Sequence, residues 1–311
     1  MTLFNNDLPS SLSQTQPQIK PLSIGIIGLG SIGCLMASQL PLSIQRWALL
    51  RSEANFFHFA IESEEETTQY ALPAWHAAPE NELDIILICC KASQTLDALT
   101  QWKSAISLKT QIVILQNGFG QHDLVQQLFP NNTIFAASTT EGANRLNRHH
   151  IRHAGKGVTQ WGYYAGPQQP LNLDLSTLSG THQQQGNIQQ VLLDKLAINA
   201  AINPLTVKYD CKNGDLLTNT LALADLTNIC AEIESCYAAL GWSLSFPLFE
   251  RAQEVASKTA NNISSMLQDI RSNRETEIDY INGYLSKQAN TLQLDLPLNT
   301  QLVNLVKLAT D

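Results

Sequence analysis

Lys195, Asn199 and Asn203 recur at every fourth position of Asp194-Lys-Leu-Ala-Ile-Asn-Ala-Ala-Ile-Asn203, and every residue between them is apolar. On a helix, positions i, i+4 and i+8 share one face. The segment therefore predicts one ammonium and two amides along a stripe of a helix apolar enough to be buried. An ammonium taken out of water is costly unless something pairs with it, and its pKa moves readily. Such a lysine suits proton transfer, and neutral amides beside it can orient a substrate without competing for the proton. The competing reading is a solvent-facing polar stripe, but a surface helix carries more charge than Leu196, Ala197, Ile198, Ala200, Ala201 and Ile202 leave room for.

A second polar set follows in Thr259-Ala-Asn-Asn262-Ile-Ser-Ser265-Met-Leu-Gln-Asp269, where Asn262, Ser265 and Asp269 fall at i, i+3 and i+7. Glu277 comes next, ahead of the apolar Ile278 and Ile281. It reads equally well as a functional carboxylate or, with Asp279, as the acidic first turn of a helix. His149, His150 and His153 bring three imidazoles together, but no cysteine or carboxylate completes a metal set beside them in the sequence, so no metal is expected.

These residues need a scaffold, and the first half of the chain predicts one. The apolar run Ser23–Ile27 feeds Gly28-Leu29-Gly30-Ser31-Ile32-Gly33, and helical spacing follows from Cys34 to Leu40. A glycine turn after a strand and before a helix is the context that gives G-x-G-x-x-G its meaning as a dinucleotide site. Gly28 permits the tight turn, Gly30 lets the backbone approach a pyrophosphate, and Gly33 packs helix on strand. Further strands are expected at 47–50, 84–90, 112–115 and 133–137, with helices near 95–102 and 121–128 and a hairpin over 151–162 turning at Gly155 and Gly157.

Lys91 and Asn117 then follow strands, at the carboxyl edge where ligands bind in such sheets. Arg51 stands where NAD enzymes carry an acid, which favours a 2′-phosphate and hence NADP; nearby Glu53 keeps NAD open. Cys89-Cys90 is read as core packing. From Ile188 the spacing is helical, over 188–203, 215–240, 247–272, 274–290 and 299–309, with Pro204, Gly241, Pro247 and Gly283 as punctuation. The expected division is a polar tail over 1–20, a cofactor half over 21–186 and a helical half over 187–311.

The 311 residues carry a net charge of −8, which argues against non-specific nucleic-acid binding. No apolar run has the length of a membrane span, and residues 1–20 lack the pattern of a signal peptide. Six cysteines without a CxxC, four of them in apolar segments, suggest free thiols in a reducing, cytoplasmic setting.

From Ile24 nearly to its end the chain resembles the ketopantoate reductase family. The likeness rests on the glycine turn, Lys91, Gln116-Asn117-Gly118, Lys195 through Thr206, Asn213-Gly214, Asn262 through Asp269, and Arg274-Glu-Thr-Glu277-Ile-Asp-Tyr-Ile-Asn-Gly283. It implies a Rossmann-type α/β parallel-sheet domain followed by an all-α domain. It also implies NADPH-dependent reduction of 2-dehydropantoate to (R)-pantoate, on the way to pantothenate and coenzyme A, by a monomer or homodimer. By resemblance, Lys195 is the general acid, and Asn117, Asn199, Asn203, Asn213 and Ser265 hold substrate. Glu277 lies between cofactor and substrate, and Ala143 touches the cofactor. The chain departs from the family at Glu141, where histidine is frequent, at Leu193, where tryptophan is frequent, and in a shorter, Gln-rich stretch over 168–190. Two alternatives stay beside this reading: a reductase of another branched 2-oxo acid, and a sensor that binds NADPH without chemistry. An intact Lys195 and Glu277 weigh against the sensor.

Overall fold

The structure is a computed structural model and describes residues 20–75 and 82–310. The expected tail over 1–20, Lys20 apart, lies outside the described residues.

The chain begins with β1 (Ser23–Ile27), α1 (Ser31–Gln39), β2 (Gln45–Leu49), β3 (Phe56–Glu62), β4 (Thr67–Pro73) and β5 (Ile85–Ile88). Next come α2 (Thr95–Gln101), β6 (Gln111–Ile114), α3 (Gln121–Leu128), β7 (Ile134–Thr139), β8 (Gly142–Asn147), β9 (His150–Gly155), β10 (Val158–Ala165) and β11 (Thr181–Gln184). Seven strands form one sheet in the order β11-β10-β7-β6-β5-β1-β2. The run from β7 to β2 is parallel throughout, and β10 joins it antiparallel. β1, β5 and β6 are buried at every position, which is why they read as unbroken apolar runs rather than as alternation.

After β11 the described chain is helical: α4 (Ile188–Lys208), α5 (Asp215–Thr218), α6 (Thr220–Leu240), α7 (Leu248–Lys258), α8 (Ser265–Arg271), α9 (Asn282–Thr291) and α10 (Pro297–Leu308). α4 is the central element. It packs on α6, α7, α8 and α10 and also on β10, where Gly162 lets Ile188 close onto the strand; a Cβ at 162 would lie 2.6 Å from that of Ile188.

Several expectations change. First, residues 151–162 do not form a hairpin. β9 belongs to a second, four-stranded sheet of order β4-β3-β9-β8, while β10 returns to the large sheet. The Gly155–Gly157 stretch is thus a crossing between sheets, and the antiparallel partner of β9 is β8. Second, β3 and β4 form a hairpin over 56–73 where no strand is anticipated. Phe57, Phe59 and Ile61 point inward at every second position, a period-two signal embedded in glutamate and threonine.

Third, Pro204 does not end its helix; α4 continues to Lys208 with Pro204 inside it. Proline has no N–H, so the carbonyl of Ala200 loses its helical partner. Asn282 Nδ2 donates to that carbonyl at 2.9 Å and satisfies it. Fourth, 247–272 is two helices, not one. The break falls at 259–264, and Ser264 starts α8 by accepting from Leu267 N at 3.1 Å. Asn262 therefore does not share a helical face with Ser265 and Asp269. Likewise 274–290 opens with a 3₁₀ turn at Ile278–Tyr280 before α9.

Candidate active site

Because β7, β6, β5, β1 and β2 are parallel neighbours, their carboxyl ends lie side by side on one edge. In spatial order that edge presents Thr139, Asn117, Lys91, the glycine turn and Arg51. Adjacent strands stand about 4.8 Å apart, so the row across five strands is roughly 19 Å long. The chain reverses its winding between β5 and β1, the place where such sheets open a crevice.

The glycine turn meets the demands set out above. Gly28 has φ +86°, and a Cβ there would lie 2.2 Å from Cys90 N. A Cβ at Gly33 would lie 2.1 Å from the Gly28 carbonyl oxygen. Both glycines are needed for the strand-to-helix packing alone. Gly30 is different, because a Cβ there would meet nothing within 4 Å. Its emptiness faces open space at the start of α1, which has no side-chain cap and no acid in its first turn. Ser31 and Ile32 sit in that first turn, and Leu29 precedes it; the positive helix end is left to an outside anion. Cys89 packs against the Gly33 side of the turn, 3.2 Å from where a Cβ would sit. Burial raises its thiol pKa and raises that of Cys90 to about 11, so both are protonated packing groups.

Arg51 is exposed just past β2 and makes no ion pair among the described residues. Ala143 sits on β8, opposite His153, partly buried where the small sheet meets α1.

Lys91 is not free at the edge. Its ammonium binds Asp269 Oδ2 at 2.6 Å and also donates to the Glu275 carbonyl. Asp269 Oδ1 accepts from Arg274 Nε at 2.9 Å. This cluster joins β5 to α8 and the segment that carries Glu277. A second seam lies one strand over: Phe119 N donates to Tyr280 O at 2.8 Å, and a Cβ at Gly118 would come within 2.6 Å of that same oxygen. Asn117-Gly118 is thus more than a turn pair; its glycine admits the helical half to the sheet edge.

Glu277 Oε2 accepts from Asn117 Nδ2 at 3.2 Å. Burial pushes its pKa up, opposed by the Asn117 hydrogen bond and the Lys91 charge. Lys195 Nζ donates to the Thr139 carbonyl at 2.8 Å. Burial pulls the pKa of Lys195 from 10.5 down to about 8, and the nearby Glu277 charge acts the other way. The ammonium and the carboxylate therefore stand together at the ends of β6 and β7, brought there from α4 and from the 3₁₀ turn.

Asn199 and Asn203 lie further along α4, the first partly exposed and the second buried. Asn213 is anchored through Nδ2 to Thr259 Oγ1 at 2.8 Å, while its Oδ1 is buried with no partner among the described residues. Ser265 is exposed at the first position of α8. That helix start is fixed beside the late turns of α4 by Ser264 and Thr206, whose hydroxyls are 2.6 Å apart. Thr139 escaped the sequence reading because a backbone carbonyl leaves no mark on residue type. Asp269 was visible as a polar stripe member, but its role in holding Lys91 was not. Each of His149, His150 and His153 has its own partner, in His58 O, Glu62 and Glu141.

A glycine turn on a parallel sheet edge, faced by a half-buried lysine and carboxylate, defines an oxidoreductase of the dinucleotide-binding class. The family description ketopantoate reductase PanE/ApbA matches residues 24–166, and ketopantoate reductase PanE/ApbA C terminal matches 187–310. The chain belongs to the ketopantoate reductase family. A 2-dehydropantoate 2-reductase from Yersinia pestis is 34% identical over 232 residues, 72% of this chain and 73% of that protein. The one from Salmonella typhimurium is 30% identical over 307 residues, 92% of this chain and 94% of that protein. A probable 2-dehydropantoate 2-reductase from Bacillus subtilis superposes with a TM-score of 0.77 at 27% identity, over 93% of this chain and all of that one. The fold is shared with D-mandelate dehydrogenase in a ternary structure with NADH and anilino(oxo)acetate, at TM-score 0.84, 22% identity and 93% and 98% coverage. No helix among the described residues is long and apolar enough to cross a membrane.

Proposed function

We propose that this protein reduces 2-dehydropantoate to (R)-pantoate with NADPH, in the route to pantothenate and coenzyme A. The observation that carries the reading is the row along the sheet edge. An ammonium and a carboxylate stand at one end, an open glycine turn between, and an exposed guanidinium at the other. A dinucleotide has that same order of needs: a reacting ring, a pyrophosphate and an adenosine end.

NADPH fits these residues. The start of α1 over Gly30 would hold the pyrophosphate, with Gly28, Leu29, Ser31, Ile32 and Gly33 shaping the turn. Arg51 would take the 2′-phosphate, Lys91, its charge shared with Asp269, would flank the cofactor at the end of β5, and Ala143 would give a small wall. A bound reduced nicotinamide supplies hydride to the C2 ketone of the substrate.

Lys195 then does two things. As an ammonium it stabilises the negative charge growing on the carbonyl oxygen, and it donates the proton that makes the hydroxyl. A pKa of about 8 suits both roles, since the acid form prevails at neutral pH while the proton remains transferable. Glu277, steered by Asn117, orients the lysine or the new hydroxyl. Asn199, Asn203, Asn213 and Ser265 hold the substrate's carboxylate and its C4 hydroxyl. The Oδ1 of Asn213, without a partner among the described residues, is an acceptor suited to that hydroxyl.

The test is the rate of NADPH oxidation with 2-dehydropantoate, compared with NADH and with other branched 2-oxo acids. A preference for another 2-oxo acid would correct the substrate. Nucleotide binding without turnover on any of them would leave a sensor.

A further inference from the structure

The Thr139 carbonyl that receives the Lys195 ammonium sits at the root of an unusually fixed turn. Residues 139–142 carry the chain out of the large sheet into β8, and residues 155–158 bring it back into β10. The two crossings lie against each other. A Cβ at Gly157 would come within 2.4 Å of the Thr140 carbonyl carbon and 2.5 Å of Glu141 N, so the 140–141 peptide rests directly on that glycine. Thr159 Oγ1 donates to Thr139 Oγ1 at 2.9 Å, and Glu141 N donates to the same oxygen at 3.1 Å. One contact in the turn comes from a pair of ionisable side chains. Glu141 Oε2 lies 2.6 Å from His153 Nε2, with the glutamate side chain only 4% exposed and the imidazole 19% exposed.

A buried carboxylate is costly unless hydrogen-bonded, and in its ionised form it only accepts. His153 must therefore present an N–H at Nε2 to hold it. The neighbouring charges are committed elsewhere or lie outside. Arg152 and His150 bind Glu62, while Arg145 and Lys156 are exposed. On the lysine side, Glu277 approaches Lys195, Lys91 is held by Asp269, and Asp194 binds Gln190 and Ser245 N.

We propose that Glu141 and His153 are positioning residues for the reaction. Their contact fixes the 139–142 turn and so holds the Thr139 carbonyl where it accepts from Lys195. Neither residue touches the reacting atoms. When the contact is lost, the carbonyl drifts, the ammonium loses its backbone acceptor, and the charged form of Lys195 is less favoured. This inference rests on the reading of Lys195 as proton donor.

The experiment compares kcat, NADPH affinity and the pH dependence of kcat in Glu141→Ala, His153→Gln, Glu141→Gln and Thr159→Val. In Glu141→Ala, kcat falls about tenfold, the scale of a modest misplacement of a catalytic group. The alkaline fall of kcat moves down by about one pH unit, the equivalent of one hydrogen bond to an ammonium. His153→Gln and Thr159→Val move both quantities in the same direction. NADPH affinity changes little. Glu141→Gln keeps an acceptor for His153 and restores most of kcat. An alkaline limb that stays in place in Glu141→Ala and Thr159→Val, even with a lower melting temperature, overturns the proposal: the pair then only braces the fold. Thr159→Val replaces a buried hydroxyl by a methyl of similar shape, so it tests the turn even where Glu141→Ala fails to fold. Lys195→Ala separates the two claims. If it keeps turnover, the reading of Lys195 fails; if it is inactive while the turn variants behave as wild type, only the positioning claim fails.

Discussion

At the sheet edge after β1 the chain has removed side chains; where α4 meets the same edge it has half-buried one. Gly28 and Gly33 admit close packing by what they lack, and Gly30 leaves the backbone open at the start of α1. Lys195 works by what it carries, a cation drawn into an apolar helix and held by a carbonyl from another element. The first arrangement is local and nearly free of electrostatic cost. The second must be stabilised across the molecule, by Thr139 and Glu277, and is adjustable for that reason.

The contrast breaks most visibly at Lys195. Lys195→Ala should lower turnover by about 10²–10⁴-fold, the usual worth of general acid catalysis, while fluorescence titration still shows NADPH binding. In wild type, kcat should hold below pH 8 and fall above it, as Lys195 gives up the proton that the proposed mechanism has it donate. Stability carries a linked signature. The folded lysine titrates near 8 and an unfolded one near 10.5, so between these values the unfolded chain binds more protons and this group's contribution to stability rises with pH. Thermal melts from pH 7 to 10 should show that rise in wild type and lack it in Lys195→Met. A Lys195→Met protein that melts with the same pH slope would mean the lysine is not buried in solution.

At the other end of the row, Arg51→Ala should weaken NADPH by about ten- to hundredfold, or 1.5–3 kcal/mol, and NADH hardly at all. Equal weakening would remove Arg51 from 2′-phosphate recognition. Gly30→Ala sharpens the idea of function by absence. Its new methyl meets no atom of the described residues within 4 Å, so the melting temperature should be unchanged while nucleotide affinity drops about tenfold. Gly33→Ala should instead destabilise the fold by about 1–3 kcal/mol, because its methyl meets the Gly28 carbonyl. If Gly30→Ala binds nucleotide normally, the open space is not the pyrophosphate cradle. The smallest effect belongs to Asp269→Ala. The Lys91 pair is partly exposed, at 25% and 14%, and its loss should cost about 1 kcal/mol in a denaturant melt.

The same contrast explains what could be read from the residues alone. The parallel sheet was legible because β1, β5 and β6 are short apolar runs closed by glycine or polar residues. The helical half was legible from periodicity. The crossing at 155–158 was not, since Gly-rich turns signal a reversal and say nothing about which sheet the next strand joins. β3 was hidden by its acidic neighbours, although its alternation was present. In the site, the i, i+4, i+8 stripe on α4 marked Lys195 without reference to any other element. Its meeting with Glu277, and that of Lys91 with Asp269, depends on how β5, β6 and β7 are ordered beside α4 and α8, which no local pattern encodes. Thr139 meets Lys195 only through its backbone carbonyl, which residue type does not mark.

Pro204 and Asn282 depend on one another. The proline withholds a donor from the Ala200 carbonyl, and the asparagine on α9 replaces it. With alanine at 204, the helix would supply its own N–H and the carbonyl would no longer depend on a distant residue. Loss of Asn282 is therefore harsher in the presence of Pro204 than in its absence, so the two positions are epistatic. A lineage can shed the asparagine cheaply, as far as this carbonyl is concerned, only after it has shed the proline. Sequence drift in the helix that carries Lys195 is thereby given a direction.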